Sequence, residues 1–303
     1  MPRRLIVLAL LALACPAAVA ASSGSPGSYD LHYRVDDPRN AFWPPIATFI
    51  LPGFDQWAEK QYPYAQAYSG AGLAGNLIAR GTFESRNVYD DDADVRFREL
   101  GAEMYLTAGG YSLYHSFRTA AKSQQKGGDF LFLGPEEPPE ELALSAFRFG
   151  HLTKATTIFP IALAATIAGL RIGNSPGDPF TYDEAFYAFG FSYGAGNWEE
   201  AVFRGWMMPT FTEWTHSPFL GGFLSGTIFG GLHAGRGFIP WPQTLMGYYL
   251  GWISQRNDWT LSEAIFIHTW WDAILFASSY ATASVSGKRV PATFWMPVFQ
   301  ASF

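Results

Sequence analysis

Residues 197–205 read Asn197-Trp198-Glu199-Glu200-Ala201-Val202-Phe203-Arg204-Gly205, two adjacent carboxylates and an arginine among aromatic and aliphatic residues. Unpaired charge is costly in such surroundings. On a helix, Glu200 and Arg204 lie four residues apart on one face, with the acid before the base, which favours an ion pair. Glu199 projects about 100° away from Glu200. The sequence therefore predicts that Glu200 pairs with Arg204 and that Glu199 stays outside this ion pair.

The composition is typical of a membrane protein rich in small and aromatic residues. Hydrophobic residues make up 49% of the chain and aromatic residues 17%, whereas charged residues make up only 15%. The mean hydropathy of +0.02 is low for a polytopic protein, so a soluble enzyme is the alternative. The net charge of −6 argues against nucleic acid as a partner, because no basic surface is available for phosphates.

Residues 1–21 have the three parts of a removable bacterial signal peptide. Arg3 and Arg4 precede an apolar block, and Ala18-Val19-Ala20 has the small-x-small pattern of a cleavage site. The alternative is an uncleaved first membrane anchor. With this leader, the predicted location is the bacterial inner (cytoplasmic) membrane, in a multi-pass arrangement.

The remaining chain is predicted to be all-α, as a polytopic transmembrane bundle of about seven or eight membrane helices. Residues 22–150 form an N-terminal region that contains an exposed linker and membrane spans of unknown role, and residues 151–303 form the domain that carries the motifs. The apolar segments are 41–57, 64–79, 100–115, 155–170, 182–209, 218–234, 241–253 and 261–281.

The stretch Gly70-Ala71-Gly72-Leu73-Ala74-Gly75 has the G-x-G-x-x-G spacing of dinucleotide-binding turns. No β-branched strand precedes it, so we interpret these glycines as a contact between closely packed membrane helices. Neither a nucleotide nor haem is predicted as a cofactor.

Two histidines lie within the later apolar segments. Glycines flank His233, and His268 has Asp272 one turn later, where the carboxylate can orient the imidazole or share a water or metal. Taken singly, each histidine could be a hydrogen-bonded core residue, and Glu200 with Arg204 a structural pair. Because three separate segments carry ionisable groups, we predict that they meet at one polar cavity.

Such a cavity suits the attack of water on an amide. A desolvated carboxylate can act as a general base, and imidazoles can bind a metal or stabilise an oxyanion. One glutamate with two histidines is also a zinc-binding set. The chain has no H-E-x-x-H sequence, which excludes the ordinary zinc-protease helix. Ser225 offers a serine intramembrane protease as an alternative, but it leaves the glutamates unexplained.

Together the three motifs resemble those of the CPBP intramembrane proteases, which include the type II CAAX prenyl endopeptidases and bacteriocin-related homologues. The third motif of that family accepts Asn or Asp at its last position. The resemblance covers residues 180–285. The motifs are Glu199-Glu200-x-x-x-Arg204, Phe229-x-x-x-His233 and His268-x-x-x-Asp272.

The resemblance implies a helical membrane fold and peptide-bond hydrolysis. By matched position, Glu199 is implied as the base that activates water, and His233 and His268 as the groups that hold the water, a metal or the oxyanion. Arg204 and Asp272 complete the implied site. Whether Glu199, His233 and His268 hold zinc is left open, since members of the family are described both as metalloproteases and as glutamate proteases.

The implied partners are the lipid bilayer and a membrane-associated protein or peptide substrate. The alternative is a non-catalytic membrane protein, a transporter or an immunity or scaffold factor, that uses the same polar cavity for binding.

Overall fold

The computed structural model describes residues 41–80, 93–125, 128, 130–135, 137–174, 181–234 and 240–283. The predicted signal peptide and the linker up to residue 40 lie outside these residues. Every regular element in the described ranges is helical, which confirms the all-α prediction.

The helices follow the predicted apolar segments, with longer bounds at several ends. They are α1 (Trp43–Ile50), α2 (Phe54–Ala58), α3 (Tyr62–Ala79), α4 (Ala93–Gln125), α5 (Pro139–Ala143), α6 (Ala155–Asn174), α7 (Tyr182–Val202), α8 (Met208–Thr215), α9 (Pro218–Leu232), α10 (Trp241–Arg256) and α11 (Ser262–Ala283). A π-helical turn, Phe203–Met207, joins α7 to α8. Two 3₁₀ turns, Ser145–Phe147 and Phe149–Thr153, follow α5.

Local sequence accounts for several of the helix ends. The apolar segment 41–57 divides into α1 and α2 at Pro52-Gly53, where Gly53 has a φ of 89° that favours glycine. Helix α7 begins with a capping box: the Thr181 hydroxyl accepts the N–H of Glu184, and the Glu184 carboxylate accepts the N–H of Thr181. The capping box thus defines the N-terminus of the helix that carries the two glutamates.

Helix α7 lies at the centre of the packing that positions the site. It packs against the long helix α4 on one side and against α11 on the other. Helix α4 also contacts α1 and α3, α11 contacts α6, and α9 packs against α8 and α10. Side chains on the C-terminal half of α7 therefore face residues from both the N-terminal and the C-terminal parts of the chain.

The start of α11 is held by an acid from the preceding loop. The Glu137 carboxylate accepts the N–H of Leu261 at 2.5 Å and the N–H of Ser262 at 3.2 Å. Burial raises the pKa of the Glu137 carboxyl, and these two N–H groups oppose that shift. Two otherwise unpaired backbone donors at the helix start are thereby satisfied.

A second acid, the buried Glu263, ties α11 to the start of α6. Its carboxylate accepts hydrogen bonds from Lys154 at 2.5 Å, Thr156 at 2.7 Å, Thr157 at 2.9 Å and Asn257 at 2.8 Å. The first turn of α11 is therefore fixed before the helix reaches the candidate site.

Among the described helices, α6 is long and apolar enough to cross a membrane by length and composition, and α9 is a shorter apolar helix. The helical architecture agrees with a membrane protein. The number of about seven or eight spans stays a prediction.

The interpretation of the glycines in α3 as a contact between helices holds for Gly75 and not for Gly70, which has open space. A Cβ atom on Gly75 would lie 2.6 Å from the Gly101 carbonyl oxygen and 2.7 Å from the Tyr105 nitrogen, both in the backbone of α4. A Cβ atom on Gly72 would lie 2.9 Å from the Pro52 side chain. The absence of a side chain at Gly75 lets α3 approach α4 closely, and its absence at Gly72 makes room for Pro52.

Gly75→Ala should destabilise the protein by about 1–3 kcal/mol, because its methyl group meets backbone atoms that cannot move aside. Gly70→Ala is the matched control on the same helix, since a Cβ atom there has open space. This control should be neutral or more stable by up to about 1 kcal/mol, as alanine is the better helix former. Thermal unfolding in detergent measures both, and an equal effect of the two substitutions would contradict the close contact.

Candidate active site

Glu200 is the most deeply enclosed group of the site. It lies in the last turn of α7 with 0% of its surface exposed. Its Oε1 atom lies 2.8 Å from Nη1 of Arg204 and 2.7 Å from Nδ1 of His268, and both nitrogens donate to it. The pairing with Arg204 is the one expected from the spacing, and His268 of α11 adds a second donor. One carboxylate oxygen thus connects α7, the π-helical turn and α11.

Arg204 extends this network to two further helices. Its Nη2 atom donates to the Gly247 carbonyl of α10 at 2.9 Å. Its guanidinium carbon lies 4.4 Å from the centroid of the Phe229 ring on α9, a cation–π distance. The arginine is buried, so these contacts replace the water that its charge would otherwise hold.

The π-helical turn also provides the hydrogen-bond partner of Ser225. π-helical turns interrupt the regular hydrogen-bond ladder and are frequent at functional sites. The Ser225 hydroxyl of α9 donates to the Phe203 carbonyl at 2.7 Å. Ser225 is therefore engaged with the backbone, and the geometry gives no support to a serine nucleophile.

Glu199 is the carboxylate outside the arginine pair. It is 3% exposed, and its Oε2 atom has no hydrogen-bond partner. The same oxygen lies 3.7 Å from Nε2 of His268. Oδ2 of Asp272 lies 3.5 Å from that nitrogen, so the ring edge faces two carboxylates. A buried oxygen without a partner is a place where a water or a substrate group is expected.

The second histidine lies just past α9, not within it as the spacing from Phe229 suggested. His233 is the C-cap residue, and its Nδ1 atom donates to the Phe229 carbonyl at 2.7 Å. A carbonyl oxygen only accepts, so a neutral imidazole leaves Nε2 without a proton. The Phe229 ring lies between the two imidazoles, with its centroid 4.7 Å from that of His233 and 5.8 Å from that of His268.

The structure thus brings five of the six predicted residues into direct contact and places His233 beside them across Phe229. The contacting residues are Glu199, Glu200, Arg204, His268 and Asp272. Their catalytic roles stay a prediction.

Sequence reasoning missed two members of this neighbourhood. Phe229 entered only as part of a spacing, although its ring contacts the arginine and both histidines. Glu103 of α4 is a buried acid whose Oε2 atom accepts the Trp198 indole N–H at 3.2 Å. It lies in the apolar segment 100–115, and a lone acid in such a segment is the signal that could have identified it.

The predicted zinc ligands have suitable donor chemistry, since each imidazole engages Nδ1, but Nε2 of His268 already faces the Glu199 and Asp272 carboxylates. Within the ranges that the structure describes, however, no group of three or more His, Cys, Asp or Glu side chains is arranged to hold a metal ion. The residues as placed do not fit zinc, and the mechanism below uses none.

Fold and site together define a helical protein with a buried glutamate–histidine centre. Residues 181–274 match the family described as type II CAAX prenyl endopeptidase Rce1-like. This match over residues 181–274 supports the resemblance to CPBP intramembrane proteases and a peptidase activity. No curated protein and no solved structure matches the chain.

Arg204→Ala should lower the free energy of unfolding by about 3–5 kcal/mol, because it leaves the Glu200 charge buried without its ion-pair partner. The control is Arg148→Ala, which removes an arginine from a pair with Glu141 in which both side chains are largely exposed, 3.0 Å apart. That change should cost about 1 kcal/mol or less. Unfolding followed in detergent compares the two, and equal costs would show that the Glu200–Arg204 pair is dispensable.

Proposed function

We propose that the protein is an intramembrane endopeptidase that hydrolyses a peptide bond of a membrane-associated protein or peptide. The observation that carries the proposal is the division between the two glutamates. Oε1 of Glu200 accepts hydrogen bonds from Arg204 and His268, and its Oε2 atom is buried without a partner. Oε2 of Glu199 is also buried without a partner, but it lies outside the arginine pair and 3.7 Å from Nε2 of His268. A free carboxylate beside an imidazole is an arrangement that general-base catalysis uses.

In the proposed reaction, Glu199 takes a proton from a water that attacks the scissile carbonyl carbon. The water oxygen bonds to that carbon, and the carbonyl oxygen becomes an oxyanion that Nε2–H of a doubly protonated His268 stabilises. The proton-free Nε2 of His233 holds the water by accepting one of its O–H groups. When the C–N bond breaks, Glu199 returns the proton to the leaving nitrogen. Glu200 and Asp272 orient His268, and Arg204 holds the Glu200 carboxylate in place.

Exposed apolar side chains support the placement in a bilayer. Helices α6 and α9 present large hydrophobic residues outward, including Phe159 at 66% and Phe219 at 75% exposure. Exposed tryptophans lie at or near the ends of several helices, as in interfacial belts. They are Trp43, Trp57, Trp214 and Trp241. A surface of this kind would be a liability in water and is favourable in lipid. The proposed location is the bacterial inner membrane, with several spans.

Glu199→Gln should lower peptide cleavage by about 10²- to 10⁴-fold while membrane insertion and thermal stability persist, because the amide keeps the shape and loses the basic oxygen. Glu141→Gln is the control, an acid of the described chain that lies in an exposed pair far from the motifs in sequence. Comparing the membrane proteomes of cells that carry each variant identifies the fragments that depend on Glu199. An unchanged fragment pattern would contradict the proposed hydrolase and favour the alternative, a non-catalytic membrane protein that uses the cavity for binding.

The prediction that Glu199, His233 and His268 hold zinc as a Lewis acid stays a prediction, which the placement of these side chains does not support. Elemental analysis of the purified protein tests it. Stoichiometric zinc that is lost in both His233→Ala and His268→Ala would support this set of ligands. Full activity after complete removal of bound metal would overturn it.

A further inference from the structure

Helix α4 lies outside the segment that matches the protease family, yet it contributes an acid to the surroundings of Glu199. Glu103 is 8% exposed and lines a cleft between α4 and α7, together with Leu100, Thr107 and Gly194. The mechanism above does not use this carboxylate. Because a buried acid is costly to keep, its presence calls for an explanation.

The hydrogen bond of Glu103 reaches the residue immediately before the candidate base. Trp198 Nε1 donates to Glu103 Oε2 at 3.2 Å, and Glu199 follows Trp198 in the chain. The indole ring has a single N–H donor, so this hydrogen bond fixes the orientation of the ring. Rotation of this turn of α7 would move Trp198 and Glu199 together.

Neighbouring contacts of α4 hold the same turn of α7. The Tyr111 hydroxyl donates to Oδ1 of Asn197. A Cβ atom on Gly110 would lie 2.9 Å from Cβ of Trp198, and one on Gly194 would lie 2.8 Å from Oε2 of Glu103. Two glycines thus allow α4 and α7 to meet closely where the glutamates are carried.

Among the residues that the structure describes, Glu103 forms no ion pair with a lysine, arginine or histidine. The carboxylates of Glu199, Glu99 and Asp272 are among the charged groups in its surroundings. A hydrogen bond to Trp198 is therefore the interaction that Glu103 contributes in the described structure. We propose that Glu103 is a positioning residue, which holds Trp198 and thereby fixes the Glu199 carboxylate toward His268. This inference rests on the proposed peptidase function.

The proposal is tested by measuring the kinetics of four variants with a peptide that the parent protein cleaves. Glu103→Ala should lower kcat about 10- to 100-fold with KM nearly unchanged, because a small misplacement of a catalytic group has that effect. Glu103→Gln should retain kcat within about threefold, since the amide oxygen still accepts the indole N–H. Trp198→Phe should lower kcat as Glu103→Ala does. The double variant Glu103→Ala/Trp198→Phe should be no slower than either single variant, because both changes break one interaction.

Glu99→Gln is the matched control, an acid one turn earlier on α4, and should leave kcat and KM near those of the parent. Wild-type kcat in folded Glu103→Ala, equal losses in the Gln and Ala variants, or multiplicative losses in the double variant would each overturn the proposal. If Glu103→Ala does not fold, Glu103→Gln and Trp198→Phe still decide between these outcomes. A parent protein whose cleavage is insensitive to Glu199→Gln would instead overturn the peptidase itself.

Discussion

The buried Glu200 carboxylate is the constraint on which the site depends. One of its oxygens accepts hydrogen bonds from Arg204 and from His268, at 2.8 and 2.7 Å, in a place without solvent. A carboxylate there is tolerated only when its charge is compensated, and here Arg204 and His268 compensate it through Oε1 while Oε2 has no hydrogen-bond partner. The contacts that satisfy it also fix where α7 meets α11 and where the π-helical turn leaves α7. Stability and site geometry therefore rest on the same atoms.

The same network explains why two adjacent acids differ. Arg204 is committed to Glu200, to the Gly247 carbonyl and to the face of Phe229. Both of its Nη atoms donate in these contacts, and Glu199 faces the other edge of the His268 ring instead. Helical geometry separates neighbouring side chains by about 100°. Glu200 therefore points toward Arg204, and Glu199 points toward the Nε2 edge of the His268 ring. Glu199 and Glu200 thus have different surroundings although their side chains are identical.

Patterns within one helix were predictable from the sequence. The i, i+4 spacing of Glu200 with Arg204 and of His268 with Asp272 gave the pairs that the structure contains, and apolar segments gave the helices. The close approach of α3 to α4 followed from the glycine spacing. The segment 41–57 breaks at Pro52-Gly53, and those residue types mark the break in the sequence itself.

Features that depend on contacts between distant segments were not predictable. Glu103 and Trp198 are far apart in the chain, and periodicity carries no signal for their hydrogen bond. The π-helical turn packs against α9 and α10, and the periodicity of the sequence carries no signal for it. His233 follows Phe229 at helical spacing, but glycines end α9 before it, and its ring then bonds the backbone.

The most direct test of this account is the state of the His268 ring in the purified protein, observed by NMR of ¹⁵N-labelled imidazoles. The account predicts a protonated, hydrogen-bonded Nδ1 that persists in Glu199→Gln and changes strongly in Glu200→Gln. An Nδ1 signal that responds to Glu199→Gln and ignores Glu200→Gln would mean that the two glutamates have exchanged roles. The division between a structural and an available acid would then be wrong.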